Sequence, residues 1–193
     1  MSIQYSIEDI QTKSIEFHGH FCPGLAIGIK VSEIALEFIG NRSMDEEIVA
    51  VVENDSCAID AIQIITGCTL GKGNLIIKNY GKHVYTFFKR QSSKCIRISL
   101  KNTALYSEIE DKQIKAYTLI SKAPLELFHI TSGNIQPPPK AQILKSEECD
   151  LCHEPVKENK LIRFGNNRLC IPCKREIKKV YDPLSIIQPE ISH

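Results

Sequence analysis

The apolar positions of this chain change their spacing several times, and each change marks an element. Ser6-Ile-Glu-Asp9 has the form of a capping box and opens a first helix running towards Phe17. Over residues 24–39 apolar side chains recur at helical spacing, with Leu25, Ile29, Ala35, Leu36 and Ile39 among the core candidates. Pro23 suits the first helical position, and Gly40-Asn41 ends the helix. Residues 48–52, Ile-Val-Ala-Val-Val, form an unbroken β-branched run and predict a buried strand. Helical spacing returns over residues 58–66 and stops at Gly67. Residues 75–78, 84–88 and 95–100 read as strands, the last two joined by a turn at residues 91–94. A helix over 108–122 and a strand over 125–130 complete the expected core. The pattern predicts an α+β fold, a mixed helix and sheet core, with no internal repeat.

Pro137-Pro138-Pro139 interrupts this pattern. Three consecutive prolines favour an extended segment and exclude helix. The expected division is a core over 1–136, a Pro-rich linker over 137–145 and a small C-terminal module over 146–193. Composition adds little. Hydrophobic residues make up 42% of the 193 positions and charged residues 24%, ordinary for a globular protein. A net charge of +1 offers no global electrostatic case for binding nucleic acid or membranes. The opening residues lack a basic stretch followed by an apolar one, so no secretory signal is expected. No apolar run reaches the roughly 20 residues that span a bilayer. A cytosolic setting is expected, where thiols stay reduced and eight cysteines call for metal or redox chemistry.

Four of those cysteines, Cys149, Cys152, Cys170 and Cys173, have the spacing C-x2-C-x17-C-x2-C. Two thiolates two residues apart grip a metal from one tight turn, and two such turns supply four sulfurs for tetrahedral Zn²⁺. All four positions are then filled, which argues for a structural zinc site. Residues 160–170 between the knuckles read as a hairpin turning at Gly165-Asn166-Asn167, and residues 174–179 as a short helix. Knuckle, hairpin, knuckle and helix describe a treble-clef-like zinc finger. Leu151, Val156, Leu161, Ile162, Phe164, Leu169 and Ile171 are its expected apolar cluster. His153 is surplus to a complete ligand set. The basic run in residues 174–179 reads as a solvated helix face ahead of a nucleic-acid contact.

A second constellation lies at two helix starts. In His18-Gly-His20-Phe-Cys22-Pro-Gly24 an extended chain after Gly19 places His20 and Cys22 on one side, with Cys22 at the N-cap of the long helix. Unpaired N–H groups there favour a thiolate. His18 either joins them or sits against its own helix dipole. Glu53-Asn-Asp55-Ser-Cys57-Ala-Ile-Asp60 repeats the design after the buried strand, so Cys57 is the second thiol expected to have a lowered pKa, with Asp60 one turn in. The Gly67-Cys-Thr-Leu-Gly-Lys-Gly73 stretch is one residue short of a phosphate loop, leaving Cys68 and Lys72 as pocket candidates. Cys95 reads as structural. A set of His18, His20, Cys22 and Cys57, with Asp55, Asp60 and Lys72 as polar partners, suits Zn²⁺ or another transition metal with an open position. It equally suits thiol redox chemistry between Cys22 and Cys57, or Cys57 and Cys68.

These residues resemble the FmdE family, the E-type subunits of formylmethanofuran dehydrogenase. The resemblance rests on residues 18–28, on Cys57-Ala-Ile-Asp-Ala-Ile-Gln63, on residues 66–75, on Tyr80-Gly-Lys82 and on the four-cysteine finger. It implies an α+β core forming an intertwined homodimer, an auxiliary treble-clef finger, and a metal-binding cavity around His20, Cys22 and Cys57. It also links the chain by name to methanogenesis, without implying one reaction. The leading expectation is a cytoplasmic zinc-binding accessory protein that delivers metal to, or modulates, a redox enzyme. One alternative is an enzyme acting on a C1 or pterin-like substrate through Cys57, Cys22, His20, Asp60 and Lys72. The other is a regulatory module whose finger contacts nucleic acid or protein.

Overall fold

A computed structural model describes the backbone of residues 7–102 and 108–181, and the side chains of 9–102 and 108–177. The chain divides into two compact units, Met1–Ala141 and Gln142–His193. Among the described residues no helix is long and apolar enough to cross a membrane.

In the first unit, α1 spans Ile7–His18, α2 Pro23–Ile39, β1 Ile48–Val52, α3 Ala58–Thr66, β2 Leu75–Ile77, β3 Val84–Lys89 and β4 Lys94–Leu100. These follow the sequence pattern closely. The capping box at Ser6 lies outside the described residues. Two expectations fail, both because a side chain caps the backbone. The helix expected over 108–122 is α4, Lys112–Ser121. Asp111 accepts the N–H groups of Gln113 and Ile114, each at 2.8 Å, and so fixes the start later than expected. The strand expected over 125–130 opens instead as the short helix α5, Pro124–Leu127. Pro124 sits in its first turn, and the Glu126 carboxylate accepts the Ala123 N–H at 2.9 Å. The strand β5 follows as Phe128–Asn134.

The five strands run in the order β2-β1-β3-β4-β5. β1 and β2 are parallel, the other pairs antiparallel. β1 is buried along its whole length, which explains its unbroken apolar run. Ala50, Val52, Tyr85, Phe87, Ile96 and Ile98 share one core with Ala26, Val31 and Ile34 of α2, Ile62 of α3 and Leu119 of α4. Val49, Val51, Phe88 and Cys95 form a separate cluster. Beside it, Ile135, Pro137 and Pro138 help line a cavity of about 410 Å³. The Arg90 guanidinium holds that segment, donating to the Pro138 carbonyl at 2.6 Å and the Pro139 carbonyl at 3.3 Å.

α2 and α3 approach more closely than ordinary side chains allow. A Cβ at Gly28 would lie 2.4 Å from the Ala58 carbonyl oxygen, and one at Gly24 would lie 3.0 Å from the Cys57 Cβ. The two glycines, one helical turn apart, let the start of α3 lie against α2.

The approach to β1 carries a pH-sensitive contact. The Glu47 carboxylate accepts the Ser43 hydroxyl at 2.7 Å and the Asp45 N–H at 2.9 Å. These bonds pull its pKa down to about 2 from 4.5. A depressed carboxylate contributes stability above its unfolded pKa and loses it as pH falls through the folded value. Urea midpoints are therefore expected to drop as pH goes from about 4.5 to 2, and Glu47→Gln is expected to flatten part of that drop. An unchanged profile in the variant would remove Glu47 from the account.

The second unit contains β6 Ser146–Glu148 paired with β7 Pro155–Lys157, then β8 Ile162–Phe164 paired with β9 Asn167–Leu169, then α6 Ile171–Tyr181. The second hairpin turns at Gly165, with φ of +59°. Its centre is Cys149, Leu169 and Cys170, flanked by Val156, Leu161, Cys173 and Ile177. Three members of the expected apolar cluster are instead exposed: Leu151 (52%), Phe164 (39%) and Ile171 (37%). Sulfurs and Leu169 occupy the middle of this unit, which leaves Leu151, Phe164 and Ile171 outside it.

Candidate functional site

α1 ends where the Gly19 N–H bonds the Ile15 carbonyl, leaving His18 in the last turn. The chain then extends to Cys22, the N-cap of α2, whose sulfur accepts the Leu25 N–H at 3.4 Å. Cys57 immediately precedes α3, delivered by a turn built on Asn54. The Asn54 Oδ1 accepts the Ser56 N–H at 3.1 Å and its hydroxyl at 2.7 Å. The Asn54 Nδ2 donates to the Lys82 carbonyl at 2.7 Å and the buried Tyr85 hydroxyl at 3.3 Å. Tyr85 in turn meets the His83 Nδ1 at 3.2 Å. None of Asn54, Tyr85 and His83 stands out in the sequence; the signal available is an Asn two residues before a Ser at a strand exit.

The helix ends converge on a three-residue group. One ligand atom each from His18, Cys22 and Cys57 lie within 4.8 Å of one another. His18 occupies both its ring nitrogens. Its Nδ1 is 2.7 Å from the Asp60 Oδ2, and its Nε2 is 3.6 Å from the Cys22 sulfur. The Asp60 carboxylate thus holds the proton at Nδ1 and turns Nε2 towards the thiols. Sequence spacing favours His20 for this place. His20 is exposed and outside the group, its ring centroid 4.6 Å from that of His18. A residue in the last turn of α1 reaches Cys22 four positions on, which the extended-chain argument overlooks.

The expectation of a lowered Cys57 pKa also fails. Burial, then the neighbouring Cys22 thiol, push it up. The Cys57 backbone is already helical, with φ −52° and ψ −19°, and its sulfur makes no capping bond, so the N–H of Cys57 itself favours a thiolate but does not offset burial and Cys22.

Lys72 is a further correction. It follows α3, whereas Cys57 precedes it, and a nine-residue helix separates its ends by about 13 Å. The Lys72 ammonium lies 3.4 Å from the Met44 carbonyl. Cys68 shares that far end. It is buried, lies 3.5 Å from the Ile48 carbonyl, and burial raises its pKa to about 11. This separation removes the pairing of Cys57 with Cys68. Asp55 is exposed and accepts the Asn79 amide at 2.7 Å, and Cys95 is buried in β4.

In the second unit Cys149, Cys152, Cys170 and Cys173 bring their sulfurs within 4.8 Å of one another. Backbone N–H groups converge on them, from Cys170 to the Cys149 sulfur at 3.3 Å and from Cys173 to the Cys170 sulfur at 3.5 Å. N–H groups of Cys152 and Cys170 draw the Cys149 pKa down to about 6. The Cys173 pKa is pushed up, first by its bond with Cys170. One thiolate held among closely packed thiols is a donor set for a thiophilic cation. His153 is exposed and outside the set.

Residues 17–131 match the family model FmdE, molybdenum formylmethanofuran dehydrogenase operon. That span contains His18, Cys22, Cys57 and Asp60 and excludes the four-cysteine group. The chain is 28% identical over 200 aligned residues to a probable S-adenosyl-L-methionine-binding protein of Archaeoglobus fulgidus, covering 88% of this chain. It spans about half the length of that curated relative, 54%. In fold it is similar to the crystal structure of an FmdE-like protein, of the tungsten formylmethanofuran dehydrogenase type, from Syntrophus aciditrophicus. The TM-score is 0.66 at 23% identity, covering 90% of this chain and 95% of the other.

Proposed function

The chain belongs to the FmdE family, and from that premise we propose that it is a metal-binding accessory protein with two centres of different purpose. The four cysteines form a structural zinc site in a treble-clef-like finger. His18, Cys22 and Cys57 form a working site in the core, with Asp60 as the positioning residue behind His18. A Cys2His set leaves a fourth position on zinc for water or substrate, where the ion acts as a Lewis acid. The same reading has the protein act as a homodimer in the cytoplasm and deliver metal to, or modulate, a redox enzyme.

The observation that carries the core site is the His18 ring fixed between Asp60 and Cys22. A carboxylate behind a ligating histidine sets its tautomer and raises its basicity. Metal analysis of the reduced full chain is expected to find two ions, one of which disappears in Cys57→Ala. Asp60→Ala is expected to weaken the core ion by about 10–100-fold in chelator competition, with Asp60→Asn between the two. One ion per chain, unchanged in Cys57→Ala, would end this reading.

A second reading has its own observation. Asp60, His18 and Cys22 stand in the order carboxylate, imidazole, thiol, the arrangement of an activated sulfur nucleophile. It predicts that chelating the metal leaves Cys22 alkylation fast and dependent on His18. The metal reading predicts that metal protects Cys22.

A further inference from the structure

Resting on the metal reading of the core site, we infer that Cys22 and Cys57 form a reversible disulfide that excludes the core ion, so that the site is redox-gated. The two sulfurs are within 4.8 Å of each other, so joining them at the roughly 2 Å of a disulfide needs a side-chain movement of a few ångströms. A sulfur in a disulfide has no thiolate to give a metal, so the two states exclude each other. The pair is asymmetric in access. Cys57 is the more accessible and its sulfur makes no capping bond, whereas Cys22 is 8% exposed. The other core cysteines, Cys68 and Cys95, are buried, and Cys68 lies beyond the far end of α3.

In the ion-free site that exchanges with the loaded one, Cys22, Cys57 and the His18 Nε2 are released from the ion, and the chemistry balances with a low-molecular-weight disulfide, RSSR, as oxidant. The Cys57 sulfur attacks RSSR, forming Cys57–S–SR and releasing one RSH with the Cys57 proton. The Cys22 sulfur then attacks the Cys57 sulfur. Its proton passes to the His18 Nε2, the Cys22–Cys57 bond forms and the second RS⁻ leaves, to be protonated to RSH. Two electrons move from the protein to RSSR. His18 is placed for the second step, with its Nε2 3.6 Å from the Cys22 sulfur while Asp60 holds its other nitrogen.

The test uses full-length protein loaded with zinc under reduction, then exposed to glutathione disulfide. Released zinc is read with a chromogenic chelator, and bonded cysteines by non-reducing peptide mapping, which separates core cysteines from finger cysteines. A Cys22–Cys57 peptide is expected to appear in step with loss of one ion, both reversed by dithiothreitol and zinc. Cys22→Ser is expected to stop at a Cys57–glutathione mixed disulfide. His18→Gln is expected to slow the second step roughly tenfold or more, so that the mixed disulfide accumulates. Release of the core ion with Cys22 and Cys57 still free, or oxidation that never joins them, would overturn the inference. A joined pair in a protein whose reduced core never held zinc would overturn the gating and place the failure in the metal reading.

Discussion

On the proposed metal reading of the four-cysteine site, chelation is expected to unfold the described part of the second unit, residues 142–181, while the described part of the first unit keeps its fold. Among its described residues the second unit has a small apolar core. Its buried apolar centre is Leu169 with two of the cysteines, while Leu151, Phe164 and Ile171 face solvent. A unit of about 50 residues rarely stands on so small a core. Structural zinc contributes on the order of 10 kcal/mol in comparable fingers, more than any packing contact available here. Bringing four thiols together without a cation leaves Cys173 held protonated and Cys149 alone drawn towards the thiolate. Amide NMR of the full chain before and after chelation would show it. Dispersed signals from residues 142–181 should collapse to the centre, and Cys152→Ser should do the same without chelator. A tail that keeps its dispersion in both would mean that packing, not metal, folds it.

Gly28→Ala is expected to damage the first unit severely. The added carbon would lie 2.4 Å from the Ala58 oxygen and 2.7 Å from its Cα, both backbone atoms that cannot swing aside. α3 must move bodily away from α2. Overpacking usually costs about 1–3 kcal/mol, and a backbone clash belongs at or above the upper end. At roughly 2–4 °C per kcal/mol for a chain of this size, the melting temperature should fall by about 10 °C. The shift also carries Cys57 and Asp60 away from Cys22 and His18, so on the proposed reading the core site's metal affinity should fall with it. Gly24→Ala meets the Cys57 Cβ at 3.0 Å and should cost less stability while still disturbing the thiol. Full stability and full affinity in Gly28→Ala would contradict the close approach of the two helices.

Much of the first unit is legible in the sequence because its signals are local. The β-branched run 48–52 and the glycine after Thr66 set β1 and α3 to the residue. Errors arise where a single side chain chooses between conformations, as Asp111 and Glu126 do at the starts of α4 and α5. The site is half legible. Cys22 and Cys57 stand out at helix starts, because caps leave a mark in sequence. The bond from Asp60 to His18 spans 42 positions and exists because α1 lies beside α3, so nothing near either residue announces it. Lys72 misleads for the converse reason. It is close to Cys68 in sequence, and a helix then carries both away from Cys57. The cysteine finger is legible because a metal imposes its geometry as a spacing.

The contact between Gly28 and Ala58 has a consequence for how this protein can vary. Where helices meet through side chains, their separation drifts as those side chains are exchanged for larger or smaller ones. Here the main chain itself is the gauge, and it lies one residue from Cys57. The interval between the two thiols is therefore uncoupled from the volume of the rest of the core. Leucines, valines and isoleucines beneath the sheet can be traded over generations while the sulfurs stay the same distance apart. Two missing methyl groups serve as a ruler.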